Sequence, residues 1–335
     1  MFFEARESLT QVQTVLSLDD FRLSSSTCFD RGQTDQWSVV DAHLHPRPLG
    51  GPPVPFTELM DRLRRAGVLF AMLSGIGQRL PIDSNCSSPR DCPNTPLAAS
   101  LKNDFFNAQS VLDIQDGDYQ SPVVSLAMSF PDLHHPETIL PNITLLQEEF
   151  PDMFRFVGEV NLVRQALWKN SQGRPVPIET IPKWTPFMNV LQEKALPLII
   201  HCDLGDAKNG TFFLPLMDKV LDTYPKNKII WVHMAGLSRE LEPELTLLQA
   251  PVSIQAHTKL IAERLEKYPN LYIDISWDVL YEITSQDEAA KAPYVKLINQ
   301  YPSRFLSGSD HLAAVTKTEA EYSRSAALEG LRSTS

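Results

Sequence analysis

Residues 41–46 read Asp-Ala-His-Leu-His-Pro, and their two imidazoles are the first side chains whose spacing suggests chemistry. Side chains alternate between the faces of a strand, so Val39, Asp41, His43 and His45 share one face and Val40, Ala42 and Leu44 the other. Neutral imidazole binds zinc, iron or nickel well, and two on a rigid strand make half a metal site. The plain alternative is a pair of core histidines with ordinary hydrogen bonds, and the pair alone does not decide. Further candidates close other apolar runs: Glu159 in Gly-Glu-Val, His201 in Ile-Ile-His-Cys, His233 in Ile-Ile-Trp-Val-His and Asp310 in Phe-Leu-Ser-Gly-Ser-Asp. A catalytic metal site takes about three protein ligands and keeps a position for water, so the candidates exceed one such site's needs. A divalent ion acidifies its water, and a neighbouring carboxylate takes the proton and passes it to the leaving group. Asp310 is assigned that general-base role. His233 is open between hydrogen-bonding the water, polarising a substrate carbonyl and binding a second metal. Glu159 is open between bridging two metals, binding one, and orienting a ligand from behind.

These residues need a scaffold that brings strand ends together. Apolar runs predict strands at Val39–Pro46, Val68–Ser74, Val123–Met128, Phe154–Val160, Leu198–Cys202, Ile229–His233, Leu271–Ser276 and Phe305–Asp310. Helical spacing falls between them at 56–66, 136–149, 186–194, 214–223, 237–248, 258–268 and 289–299. Alternation of this kind predicts a (β/α)8 TIM barrel, whose strand C-termini meet at one mouth. A doubly wound sheet also alternates, but it leaves the repeated polar strand ends unexplained, and no Gly-rich phosphate loop follows the first strand. Residues 1–37 read as an N-terminal extension, a short helix and loop outside the barrel, and residues 38–335 as the barrel domain. An insertion at about 75–120, with a helix expected at 95–112, is long enough to cover a site.

The 335 residues carry a net charge of −11, which argues against broad nucleic-acid binding. The four cysteines, Cys28, Cys86, Cys92 and Cys202, form no C-x-x-C pair, and reduced thiols are expected, with a Cys86–Cys92 bridge as the alternative. The N-terminal MFFEARESLTQ has early acidic residues and no long apolar run, unlike a signal peptide. No stretch approaches the ~20 apolar residues of a membrane helix. The expectation is a cytosolic protein with a small-molecule substrate, no nucleic acid and no membrane partner; homo-oligomerisation is open.

Taken in order, DAHLHP at 41–46, PLIIHC at 197–202, IIWVHMAG at 229–236 and FLSGSDHLA at 305–313 resemble the amidohydrolase superfamily, in the branch called amidohydrolase 2. The resemblance runs from about Val39 to Ala313. It implies a metal-dependent TIM barrel with His43, His45, His201 and Asp310 around a divalent ion, commonly zinc, with one or two ions bound. It implies His233 as an active-site histidine. It also implies cleavage of C–N, C–O or C–C bonds in small molecules, including lactone hydrolysis and nonoxidative decarboxylation. Two features depart from the pattern. Gly158-Glu159 stands where many two-metal members have a carboxylated lysine, which is more like TatD-type deoxyribonucleases. Only residues 312–335 follow the eighth strand, so the usual C-terminal helices are expected to be missing. The leading expectation is hydrolysis of a small amide, ester or lactone. The alternatives are decarboxylation of an unsaturated or aromatic acid, a TatD-like nuclease disfavoured by the acidic balance, and a metal-binding barrel without turnover.

The remaining candidates read as structural. His134-His135 is expected in a solvated loop, His257 at a surface or cap, and Cys202 in the core. His311 should point away from Asp310, its neighbour on the strand. Asp41 is expected as a structural hydrogen-bonder and Asp274 inside the barrel. Arg164 reads as a surface arginine, with binding of a substrate carboxylate as the alternative. Trp277-Asp278 follows the seventh strand, where contact with substrate is possible.

Overall fold

A computed structural model describes residues 39–48, 53–66, 68–79, 93–115, 122–238, 253–277 and 288–314. The N-terminal extension, all but the first two residues of the helix expected at 237–248, Asp278, the residues after Ala314 and the cysteines other than Cys202 lie outside the described residues.

The centre is a parallel sheet of β1 (Val39–His45), β2 (Val68–Ser74), β3 (Val123–Met128), β4 (Phe154–Val163), β5 (Leu198–Cys202), β6 (Ile229–Trp231), β7 (Leu271–Ile275), β8 (Phe305–Ser307) and β9 (His311–Leu312). β8 pairs with β7 through Phe305↔Ile273, and β9 pairs with β1 through Leu44↔His311. The segment 305–312 is therefore one interrupted eighth strand with a neighbour on each side, and it closes the sheet into the expected (β/α)8 barrel. Around it lie α1 (Phe56–Arg65), α2 (Lys102–Gln115), α3 (Ile139–Glu149), α4 (Thr185–Glu193), α5 (Leu214–Thr223), α6 (Ile254–Lys267) and α7 (Glu288–Gln300). Among the described residues, no helix is long and apolar enough to cross a membrane.

The pleat explains the core. Met72, Ala127, Phe156, Ile199, Ile230, Tyr272 and Leu306 come from strands β2 to β8 and pack on one another as an apolar layer inside the ring. A larger core lies between strands and helices, where α1 buries Leu59, Met60 and Leu63 at helical spacing. Two residues further along β5 and β7, the inward positions carry His201 and Asp274. Alternation that builds a dry plug at one level thus presents polar groups at the next.

Four local expectations need correction. Strand β4 continues past Val160 to Val163 and shifts register against β5 between Val157 and Val160. β6 ends at Trp231, and His233 stands in a short turn instead of on a strand. Strand eight breaks after Ser307, so Asp310 lies in the gap before β9. The insertion's helix starts at Lys102, because the stretch before it is extended, with Ala98–Ala99 pairing antiparallel to Gln78–Arg79.

Candidate metal centre

His43 and His45 point into the mouth from β1, both buried, with β1 shifting register against β2 between Asp41 and Leu44. His45 Nδ1 lies 3.1 Å from the Ser74 carbonyl, which only accepts, so that nitrogen carries the hydrogen. His43 Nδ1 lies 2.8 Å from Asp274 Oδ2 and donates to it. Each ring is left with a lone pair on Nε2, and the two Nε2 atoms are 3.2 Å apart. Facing lone pairs at that distance require a proton or a cation between them. Asp310 Oδ1 lies 3.0 Å from His45 Nε2 and 3.5 Å from His43 Nε2.

Glu159 reaches the same point from the register shift in β4. Gly158 there has φ +123°, and a Cβ on it would sit 2.2 Å from the Ile199 carbonyl oxygen, so the position accepts only glycine. Ser74 Oγ holds the irregularity by accepting from Glu159 N (2.9 Å) and donating to Gly158 O (2.8 Å). Glu159 Oε2 faces His45 Nε2 at 3.7 Å and His43 Nε2 at 4.0 Å. Its other oxygen, Oε1, lies 2.5 Å from His201 Nδ1 and 3.2 Å from His233 Nε2. The cluster has two main halves, His43, His45 and Asp310, and His201, His233 and Glu159, and a third close set, His43, His233 and Asp274, spans them.

His201 belongs to the second half only. Its Nδ1 faces Glu159 and its Nε2 faces Asp203 Oδ1 at 3.0 Å, so both nitrogens donate and the ring is an imidazolium here. Burial and Arg164 lower its pKa, and the Glu159 and Asp203 carboxylates outweigh them to raise it. His233 is buried neutral, its pKa lowered chiefly by desolvation. Its Nδ1 lies 3.0 Å from Ser276 Oγ, and its ring is tilted over Trp277 at 4.9 Å. His233, Met234 and Ala235 all take left-handed backbone angles, φ 50–60°, before Gly236. Such angles cost roughly 1–2 kcal/mol for each residue with a Cβ.

Glu159, Asp310, Asp274 and Asp203 are carboxylates of this cluster, and among the described residues Arg164 is the only Arg or Lys paired with it. Burial would raise Glu159, but the Arg164 and His201 charges and the His201 and His233 hydrogen bonds hold it well below the usual carboxylate range. Burial would also raise Asp310; His45, His233 and His43 around it outweigh burial and hold it below the usual carboxylate range. For His43, burial works downward, but Asp274, Asp310 and Glu159 together push it up to about 10. The centre has too many negative groups for its cations, which is the electrostatic condition for holding a divalent ion. The donor set of imidazole nitrogens and carboxylate oxygens fits zinc, with His43, His45, Asp310 and Glu159 at one position.

The residues read as structural also find places. Asp41 accepts from Ser309 N (2.9 Å), Ser309 Oγ (2.6 Å) and His43 N (3.2 Å), tying the broken eighth strand to β1. Gly308 fits against His43 because a Cβ there would lie 2.6 Å from the His43 Cβ. Cys202 is a free, buried thiol. His134 and His135 lie in a turn, partly and largely exposed. His257 is a correction: it is buried, and its Nδ1 meets the Tyr294 hydroxyl at 2.9 Å. Arg164 is another, since its guanidinium is ion-paired with Glu159 at 2.8 Å. Asp203 and Ser276 had gone unremarked. Asp203 was within reach, because it follows His201 at the same spacing of two that drew attention to His43 and His45.

The family model described as "Amidohydrolase" matches residues 128–333. The chain belongs to the amidohydrolase family. The matched span holds Glu159, His201, His233 and Asp310, and the fold adds His43 and His45 from β1. Solved structures similar to this amidohydrolase include a dihydroorotase from Campylobacter jejuni, at 15% identity and TM-score 0.47, covering 88% of this chain and 82% of that one. Another is Amidohydrolase 2 from Bifidobacterium longum subsp. infantis, at 14% identity and TM-score 0.41, covering 88% and 97%. Likenesses this distant add no argument to the family match. No curated protein matches the chain.

Proposed function

We propose that this amidohydrolase is a metal-dependent hydrolase of a small amide, ester or lactone. The observation that carries the reading is the pair of Nε2 lone pairs on His43 and His45, 3.2 Å apart and completed by Asp310 and Glu159. His43, His45, Asp310 and Glu159 would hold the ion, zinc by donor chemistry. A divalent ion bound there supplies Lewis acidity and lowers the pKa of water. Asp310, ionised and at the edge of the cluster, takes the proton from the attacking water and returns it to the leaving group. His233 presents Nε2–H to the substrate carbonyl, its tautomer set by the acceptor Glu159 and by Ser276 behind it. Asp274 and Ser74 orient His43 and His45.

The test is metal analysis of protein purified without chelator, followed by turnover assays on amides, esters and lactones. Bound zinc is expected, with turnover lost on chelation and restored on reloading. Asp310→Asn should lower kcat about 100- to 10,000-fold. The reading falls if no divalent ion binds, if His45→Ala leaves every activity intact, or if the sole reaction is carbon dioxide release from acids.

A further inference from the structure

Arg164 is the first residue past β4, and its backbone is fixed by Arg164 N to Gly173 O at 2.9 Å and Leu167 N to Arg164 O at 3.1 Å. One nitrogen, Nη1, donates to Glu159 Oε2 at 2.8 Å. A guanidinium has five N–H donors in a planar fork. Among the described residues, no other side chain or carbonyl accepts from the Arg164 side chain. The side chain is 24% exposed while Glu159 beneath it is 3% exposed, so the unused donors lie on the open side of the ion pair. A purely structural arginine at this depth would spend its fork on protein acceptors. This one spends a single donor.

The geometry points to Arg164 as the anchor for a carboxylate on the substrate. The carboxylate occupies the free edge of the fork, and the substrate's reacting carbonyl lies towards His45, because the same Glu159 oxygen that Arg164 holds is 3.7 Å from His45 Nε2. The substrate class is therefore an amide, ester or lactone that carries a carboxylate near the bond cleaved. An uncharged analogue leaves the fork unpaired and binds less well. This inference rests on the hydrolase reading for the reaction, but not for the binding of the acid.

The experiment titrates N-acetylglycine and its uncharged partner N-acetylglycinamide into zinc-loaded protein by calorimetry. Wild type, Arg164→Gln and Arg164→Lys are compared, with zinc content measured on each. The acid should bind wild type at least 10-fold more tightly than the amide. Arg164→Gln should lose about 10- to 100-fold of the acid's affinity at unchanged zinc content. Arg164→Lys, which keeps the charge without the fork, should fall between them. If the Gln variant does not fold, a loss of about 5- to 10-fold in the Lys variant stands in for it. Equal binding of acid and amide to wild type overturns the inference. So does acid binding that persists in the variants, since the metal alone would then hold the carboxylate. Acid binding that needs Arg164, in protein that turns over no amide, ester or lactone, sinks the hydrolase reading and leaves the anchor standing.

Discussion

Replacing Asp274 by Asn tests how the centre keeps a lone pair on His43. Asp274 Oδ2 accepts from His43 Nδ1 at 2.8 Å, while Oδ1 accepts from Ser276 N at 2.6 Å. Both oxygens face donors, and Asn has one oxygen. If that oxygen stays with Ser276, the amide NH2 meets the His43 Nδ1–H. The ring must then move its hydrogen to Nε2, the atom whose lone pair faces His45. Loss of a partner of this kind lowers metal affinity about 10- to 100-fold, roughly 1.4–2.7 kcal/mol. If the amide flips, His43 keeps its tautomer, but Ser276 N loses its acceptor in a buried site, at about 1–3 kcal/mol of stability. Chelator competition for zinc measures the first outcome, and urea unfolding of metal-free protein measures the second. Wild-type zinc affinity together with wild-type stability would refute the tautomer argument.

Other perturbations separate scaffold from site. Gly308→Ala would place a Cβ 2.6 Å from the His43 Cβ and 2.8 Å from its backbone nitrogen; an unfolding free energy lower by about 1–3 kcal/mol in urea, with weakened zinc binding, is expected. Ser74→Ala leaves Glu159 N without its 2.9 Å acceptor, and should cost about 1–3 kcal/mol in thermal or urea unfolding. Burial pushes His257 down to about 4, below its unfolded value near 6.5. The unfolded chain therefore takes up the proton first, so this contribution is intact above about pH 6.5 and is lost as pH falls towards 4, by about 3 kcal/mol at most. Urea unfolding at pH 7.5 and pH 5 should show a smaller acid loss in His257→Gln than in wild type; equal slopes would exclude His257 as its source.

How much of this was legible follows the regularity of the backbone. β2, β3 and β5 match their apolar runs residue for residue, because the run and the strand are set by the same burial. His43 and His45 both reach the mouth as their spacing suggests, although β1 shifts register against β2 between Asp41 and Leu44. Glu159 was found as a candidate, but its direction was not readable. Alternation from the inward Phe156 sends Glu159 outward, and only the register shift at Gly158 brings it in. The turn at His233 has no warning in the sequence beyond Gly236, since Met234 and Ala235 are poor candidates for left-handed angles. Arg164 was misjudged for a related reason. It stands five positions from Glu159, and a regular strand would put the two on opposite faces.

The division has a consequence for how the centre is built. Regular pleat delivers His201 and Asp274 with the apolar layer, and β1 delivers His43 and His45 beside its own register shift between Asp41 and Leu44. Irregular backbone delivers the rest: the shifted β4 carries Glu159, the left-handed turn carries His233, and Asp310 sits in the strand-eight gap at φ 51°. The second set contains the groups assigned to proton transfer and carbonyl polarisation. Each irregular position is held by neighbours instead of by its own propensity: Ser74 on β4, Ser276 behind His233, and the His43 carbonyl accepting from Asp310 N at 2.7 Å. Those supports converge on Glu159, whose Oε1 meets His201 and His233 and whose Oε2 meets Arg164 and faces His43 and His45. A change in either half of the centre must therefore be felt in the other through Glu159, and through Ser276, which meets both His43 and His233. Paired substitutions across Glu159, such as His45→Ala with His233→Ala, should consequently depart from additivity, while pairs of distant residues with no shared partner should add.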